Sequence, residues 1–265
     1  DYVGHISSET RALVVVHYGG KIAREIEEIA QFCKVNNIIL IEDAAQAIGV
    51  YRNKKHAGTF GDYGAISFHE TKNITSGGEG GALIVANEIA YEKAFVIRDK
   101  GTNRRAFFKG MVDKYSWKSK GSSYVMSDLS AAYLLAQIEN LDKINNSRKE
   151  AYQFYHTSLL ELEDKNLFTI MPLAEGNGHM FYLLCPNRDE LLEYLRKNNI
   201  EATFHYLPLN SSEYVQKSAH KFNVDFSTSG TNRISQEIIR LPLYFGIERD
   251  QQNEVIAKIR AFYFE

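Results

Sequence analysis

The residues that could do chemistry in this chain gather between Asp43 and Gly81. Asp43 follows the apolar run Ile38-Ile39-Leu40-Ile41 and lies in Glu42-Asp43-Ala44-Ala45-Gln46. Open α/β sheets bind ligands beyond the carboxyl ends of their strands, where a carboxylate can face a cationic ring nitrogen and keep it protonated. The competing use of an aspartate after a strand is to cap the next helix. Lys72 follows a second strand-like run, Ala65 to Phe68. An amine near a ring cation and a phosphate loses its proton more readily, as a lysine that forms a Schiff base must. An ordinary solvated lysine is the alternative. Ser67 offers a hydroxyl to a phosphate. The loop Ser76-Gly77-Gly78-Glu79-Gly80-Gly81 can cradle a phosphate with backbone N–H groups or simply turn the chain. No Lys-Ser or Lys-Thr follows its last glycine, which disfavours a nucleoside triphosphatase.

The pattern around these residues predicts an α/β fold. Ala12 to Val16 reads as a strand buried on both faces, and Ile38 to Ile41 as the next. Between them Ile22, Ile26, Ile29, Ala30 and Cys33 recur at helical spacing, with Arg24, Glu25, Glu27 and Glu28 opposite. Strand, helix and strand in about thirty residues make a βαβ unit and a parallel sheet. Further strands are expected at Ala65 to Phe68 and Ala82 to Val85, and a helix from Asn87 to Lys100 closed by Gly101. Thr102 to Tyr124 shows no period. Ser127 to about Glu163 reads as one long helix or a broken pair. Past residue 145 the pattern changes. Strands at Met180 to Leu184 and Ala202 to Tyr206 flank a helix at Asp189 to Asn198, and a last helix runs from about Asp250 to Phe264. The expected division is a large domain over 1–145, with a mostly parallel sheet, and a smaller α+β domain over 146–265.

Composition narrows the function class. The 265 residues are 44% hydrophobic and 24% charged, ordinary globular usage. A net charge of -2 gives no global attraction to nucleic acid or to an anionic membrane. Cys33 and Cys185 lack disulfide-framework or metal-site spacing and read as reduced core thiols of a cytoplasmic protein. No apolar run near the start is long enough for a signal peptide or a membrane span.

Taken together, Val16-His17, Glu42-Asp43-Ala44-Ala45-Gln46, Gly58-Thr59-Phe60-Gly61-Asp62, Ser67-Phe68, Lys72 and Gly78-Glu79-Gly80-Gly81 resemble the DegT/DnrJ/EryC1/StrS family in order and spacing. The resemblance covers essentially the whole chain. It implies a sugar aminotransferase of the pyridoxal 5′-phosphate fold type I. In that family Lys72 would form the Schiff base with the cofactor and shuttle a proton, and Asp43 would pair with the pyridinium nitrogen. Gln46 would lie at the phenolic oxygen, and Ser67 would bind the phosphate. The reaction would move the amino group of L-glutamate to a keto sugar. The family's homodimers, with active sites at the subunit interface, imply a second copy as partner.

Within the family, His69-Glu70-Thr71-Lys72-Asn73, Lys100-Gly101-Thr102-Asn103-Arg104, Val112-Asp113-Lys114-Tyr115 and Gly121-Ser122-Ser123-Tyr124 resemble one branch. That branch converts dTDP-4-dehydro-6-deoxy-D-glucose to dTDP-4-amino-4,6-dideoxy-D-galactose for enterobacterial common antigen and related surface glycans. Between Arg98 and Lys120, eight basic residues stand against two aspartates, with Tyr115 and Trp117 interleaved. Arg104 and Lys114 in this stretch would bind the substrate diphosphate; a solvated basic loop is the alternative. His205 and Tyr206 would line the sugar side from the small domain, or else pack a strand end, and Arg240 before Leu241-Pro242-Leu243 is open in the same way. Two positions depart from the family: Ser123 stands where an asparagine is usual, and Asn210 where histidine is common.

Nothing before Ala12 resembles the segment with which the family opens, roughly half a typical domain. A fragment with an incomplete phosphate cradle is therefore expected. The rival readings are a dehydratase of the same family, which carries histidine in place of the Schiff-base lysine, and a non-catalytic regulatory relic of the fold.

Overall fold

The computed structural model describes residues 2–173, 176–218 and 229–264. The chain forms two compact units. The first takes the described residues up to Asn145 together with 176–177, and the second takes Asn146 to 173 and Gly178 onward.

In the first unit β1 (Ala12–Val16) leads through α1 (Ile26–Val35) to β2 (Ile39–Asp43). A hairpin of β3 (Tyr51–Arg52) and β4 (Lys55–His56) follows, then β5 (Tyr63–Ser67) and β6 (Gly81–Val85). Next come α2 (Glu88–Arg98), α3 (Arg104–Phe108), α4 (Asp128–Glu139) and the first turns of α5 (Leu141–Asp164). The main sheet has the order β1-β2-β5-β6. β1 and β5 both pair parallel to β2, while β6 returns antiparallel to β5.

Helix α1 forms because Ile26, Ile29 and Cys33 repeat at helical spacing and bury one face. Glu27 and Glu28 in its first turn and Lys34 in its last suit the helix dipole. These side chains pack with Ile22, Leu40, Ala47 and Val50 into the core of the unit. A second cluster joins Phe68, Ile74, Leu134 and Ile144 beside the loop that carries Lys72.

The second unit is a three-stranded antiparallel sheet, β7 (Thr169–Ile170), β8 (Phe181–Leu184) and β9 (Ile238–Leu241), in the order β7-β8-β9. Its helices are the rest of α5, α6 (Arg188–Lys197), α7 (Glu213–Ser218), α8 (Ser229–Glu237) and α9 (Arg249–Phe264). Phe181, Leu183, Ile239 and Leu241 point from the sheet into a core shared with Tyr155, Leu159, Leu195 and Ile259.

Several expectations change here. The strand expected over Ala202 to Tyr206 does not form: only Thr203 pairs, in a single bridge to Arg240. Phe204 and Tyr206 are turned outward, half exposed or more, so only Ala202 of the segment packs into the core, too little to hold the run on the sheet. The third strand is instead Ile238–Leu241, a four-residue run between helix α8 and Pro242. β2 runs on through Glu42 to Asp43, so Asp43 is the last residue of the strand rather than one beyond it. No helix follows Asp43, which removes the capping alternative.

Helix α1 starts at Ile26 and not at Ile22, because the Ala23 N–H is taken by His17 Nδ1 at 3.1 Å. The long helical stretch is a broken pair parted at Asn140, with Ser127 Oγ capping α4 by accepting from the Ser130 N–H. The stretch without a period contains the short helix α3, and the β3–β4 hairpin turns on Asn53 and Lys54, both at positive φ.

Phe181 is fully buried, with its ring centroid 5.1 Å from that of Tyr152 and 5.3 Å from that of Tyr155. Phe181→Ala should cost about 3–5 kcal/mol, the usual range for emptying an aromatic core site. A urea midpoint unchanged from that of the parent chain would refute this account of the second core.

Candidate active site at the strand ends of the first unit

The last residues of β1 and β2 share a rung with the middle of β5, Val16 pairing with Asp43 and Asp43 with Ala65, so that β5 runs two residues further to Ser67. The ladder continues past the strands. The His17 N–H donates to Asp43 O at 2.9 Å, and the Ala44 N–H donates to Ala65 O at 2.9 Å. Asp43 is half-buried, and its Oδ1 accepts from the Ala45 N–H at 3.0 Å, a tight local turn. Gln46 reaches across to the loop after β1, its Oε1 accepting from the Gly19 N–H at 2.7 Å. Ser67 closes β5, and its Oγ accepts from the His69 N–H at 3.3 Å.

Lys72 sits in the loop after β5, half-buried, with its backbone N–H donating to His69 O. Its neighbours hold that loop. Asn73 Nδ2 donates to Asn145 Oδ1 and to Asn177 O, each at 3.0 Å, and Ile74 is fully buried. The Ser76 N–H donates to Phe68 O, and Ser76 Oγ donates to Glu79 O. The glycine run then leads back to the sheet through Gly77 and Gly78, both at positive φ. The structure therefore brings Asp43, Gln46, Ser67 and Lys72 to one end of one sheet.

The remaining candidates lie elsewhere. Arg104 is exposed at the start of α3, its guanidinium 5.1 Å from the ring centroid of Phe108. Lys114 is exposed in the irregular segment that follows. His205 and Tyr206 belong to the second unit, where their ring centroids are 4.7 Å apart. Tyr206 is exposed. Burial, helped by the charge of Arg240, pushes the His205 pKa down to about 4.

Beneath the strand ends lies a buried cluster that residue pattern alone does not reveal. His17 and Glu42 are both fully buried, with Nε2 and Oε2 2.7 Å apart. Because His17 Nδ1 accepts from the Ala23 N–H, the ring proton is on Nε2 and is donated to Glu42. Glu42 Oε2 also accepts from the Gly58 N–H at 2.9 Å, and Oε1 accepts from the Gly61 N–H at 2.6 Å. Burial alone would raise the Glu42 pKa, but the bonds from His17, Gly61 and Gly58 outweigh it and hold the carboxyl below the usual range. The signal available in the sequence was a glutamate inside the otherwise apolar run Ile38 to Ile41 and its continuation.

Removing Glu42 leaves three buried donors without an acceptor, so Glu42→Ala should lower stability by about 3–5 kcal/mol. A depressed carboxyl pKa contributes stability above the unfolded value of ~4.3, and that stability is lost as pH falls through the folded value. The parent chain should therefore weaken in this acid range while Glu42→Ala shows a flatter profile; parallel profiles would contradict the assignment.

A depressed histidine pKa acts at higher pH. The unfolded chain takes up the proton near ~6.5 and folded His205 only near about 4, so stability falls as pH drops between them. His205→Gln should reduce that slope in a set of urea melts between those limits, and an identical slope would rule His205 out as its source.

Residues 4–260 match the DegT/DnrJ/EryC1/StrS aminotransferase family. An uncharacterized protein of Methanocaldococcus jannaschii is 30% identical, covering 96% of this chain and 67% of its own length. The GDP-perosamine synthase of Vibrio cholerae is 29% identical, over 97% of this chain and 68% of its own. Among solved structures, Helicobacter pylori PseC, an aminotransferase involved in the biosynthesis of pseudoaminic acid, superposes with a TM-score of 0.86 at 23% identity. It covers 98% of this chain and 68% of its own. NtdA from Bacillus subtilis, solved with bound cofactor PMP, gives 0.87 at 22% identity, over 99% of this chain and 59% of its own. The fold is thus that of the fold type I enzymes. The chain belongs to the DegT/DnrJ/EryC1/StrS family of pyridoxal-phosphate-dependent sugar aminotransferases.

Proposed function

We propose that this chain carries the cofactor-binding residues of a nucleotide-sugar aminotransferase that uses L-glutamate as donor and dTDP-4-dehydro-6-deoxy-D-glucose as acceptor. The product is dTDP-4-amino-4,6-dideoxy-D-galactose. The observation that carries the reading is the convergence of Asp43, Gln46, Ser67 and Lys72 on adjoining strand ends. The branch-like motifs around Lys72, Arg104, Lys114 and Ser123 supply the choice of sugar.

The groups present fit pyridoxal 5′-phosphate. Asp43 spends one carboxylate oxygen on Ala45 and keeps the other for a ring nitrogen. Ser67 Oγ accepts from His69 and keeps its proton to donate to a phosphate. Gln46 uses its oxygen on Gly19 and keeps its NH2 for the phenolic oxygen. When bound, the cofactor would supply an electron sink to the reacting substrate. Asp43 holds the proton on the ring nitrogen, which makes that sink effective. Lys72 would hold the cofactor through Nζ and carry a proton at that atom to and from the substrate carbon.

Arg104 and Lys114 bind the substrate diphosphate, with His205 and Tyr206 at the sugar. A homodimer is part of the same reading, as is a cytoplasmic location, with Cys33 and Cys185 buried and free. No helix among the described residues is long and apolar enough to cross a membrane. Lys72 also argues against the dehydratase, which carries histidine at that position.

The test is amination of the keto sugar nucleotide with L-glutamate, followed by mass spectrometry. Lys72→Ala should reduce product by at least about a thousandfold, the scale of a lost acid–base group. Surviving turnover would overturn the transaminase reading. Turnover of a different sugar nucleotide in its place would overturn only the substrate.

A further inference from the structure

Arg240 is a permanently charged group that the described residues leave uncompensated. It lies in β9, paired with Tyr182 of β8. On its other side it is bridged to Thr203, the Arg240 N–H donating to Thr203 O at 2.7 Å and the Thr203 N–H to Arg240 O at 3.1 Å. Phe181, Leu183, Ile239 and Leu241 occupy the core face of these strands, so alternation turns Tyr182 and Arg240 to the opposite face. Thr203 pairs with Arg240 on that face, and His205 follows two residues later, close enough to feel the arginine's charge.

Arg148 adds a second positive charge nearby, but its Nε and one terminal nitrogen already donate to the backbone. Its Nε binds Gly178 O and its guanidinium also binds His179 O and Leu243 O, all of them neutral carbonyls. Arg240 differs. Its Nε is buried without a hydrogen-bond partner among the described residues. The arginines in ion pairs there are Arg98, Arg105, Arg188 and Arg260, and Arg240 is not one of them. A charged fork of donors held in a fixed strand position, with no acceptor of its own, is costly unless an acceptor arrives from outside.

We infer that Arg240, flanked by Tyr182, Thr203 and His205, is a binding residue for an oxyanion, the carboxylate or the phosphate of a small-molecule ligand. The planar fork suits two oxygens of one such group at once. Tyr182 and Thr203 add hydroxyls on the same face of the sheet. The identity of the anion rests on the proposed reaction, whose donor carries carboxylates and whose acceptor carries a diphosphate. The site itself rests only on the geometry of the second unit.

Calorimetric titration of the purified chain with glutarate and, separately, with inorganic pyrophosphate tests the inference. Arg240→Gln should weaken binding of at least one probe by about ten- to a hundredfold, the loss carried by charge-assisted hydrogen bonds. Arg240→Lys should recover part of it, and the probe affected names the source of the anion. The urea midpoint of Arg240→Gln should equal or exceed that of the parent chain, since the change removes an uncompensated charge. Should Arg240→Gln not fold, a several-fold loss in Arg240→Lys decides in favour. Equal affinity of the parent and variant chains for both probes, or no binding of either by the parent chain, overturns the inference. Arg240-dependent binding in a chain that fails to aminate any sugar nucleotide would overturn the proposed reaction and leave the anion site standing.

Discussion

Glu42 sits in the interior of the first unit with no exposed surface, and the arrangement of the strand ends follows from how its charge is satisfied. A carboxylate taken out of water without partners costs several kcal/mol, more than a marginally stable domain can spare. Its two oxygens therefore need the His17 ring and the Gly58 and Gly61 N–H groups. Those partners come from the end of β1 and from the loop that enters β5, so one side chain ties three neighbouring strands at the same level. Gly58 meets the geometry at positive φ, and Gly64 allows the close approach, since a Cβ there would fall 2.0 Å from Gly58 O. The pleat does the rest. With Glu42 turned inward, Asp43 must face the other side of the sheet.

The loop after β5 is built on the same plan with different materials. Lys72 itself is only half-buried, yet the residues on either side of it are fastened by Asn73, by the buried Ile74 and by the two bonds of Ser76. The loop position of Lys72 is thus set by its neighbours. Gln46 and Ser67 each use one half of their hydrogen-bonding capacity on the backbone and leave the other half open. A site of this kind keeps its donors aimed without a ligand, which lowers the cost of ordering them when one binds.

The second unit follows another logic. Its stability comes from an aromatic and aliphatic core, and its buried cation Arg148 is spread over three carbonyls rather than matched to a carboxylate. Burial without a compensating acid, together with the nearby Arg240, pushes Arg148 down to about 10.

Much of the local structure was legible in the chain. The apolar runs at Ala12 and Ile38, and the helical spacing of Ile26, Ile29 and Cys33, gave the βαβ unit, because periodicity is a property of neighbouring residues. The run at Ile38 placed Asp43 at a strand end, the run at Ala65 placed Lys72 in the segment after the next strand, and the order of these motifs along the chain pointed to the family. Tertiary structure decided the rest. The antiparallel return of β6, the choice of Ile238–Leu241 over Ala202 to Tyr206 as third strand, the pairing of His17 with Glu42 and the isolation of Arg240 all depend on residues far apart in the sequence. A short run reads alike whether or not a distant edge is open to receive it, and a polar residue shows its worth only when the donors around it are known.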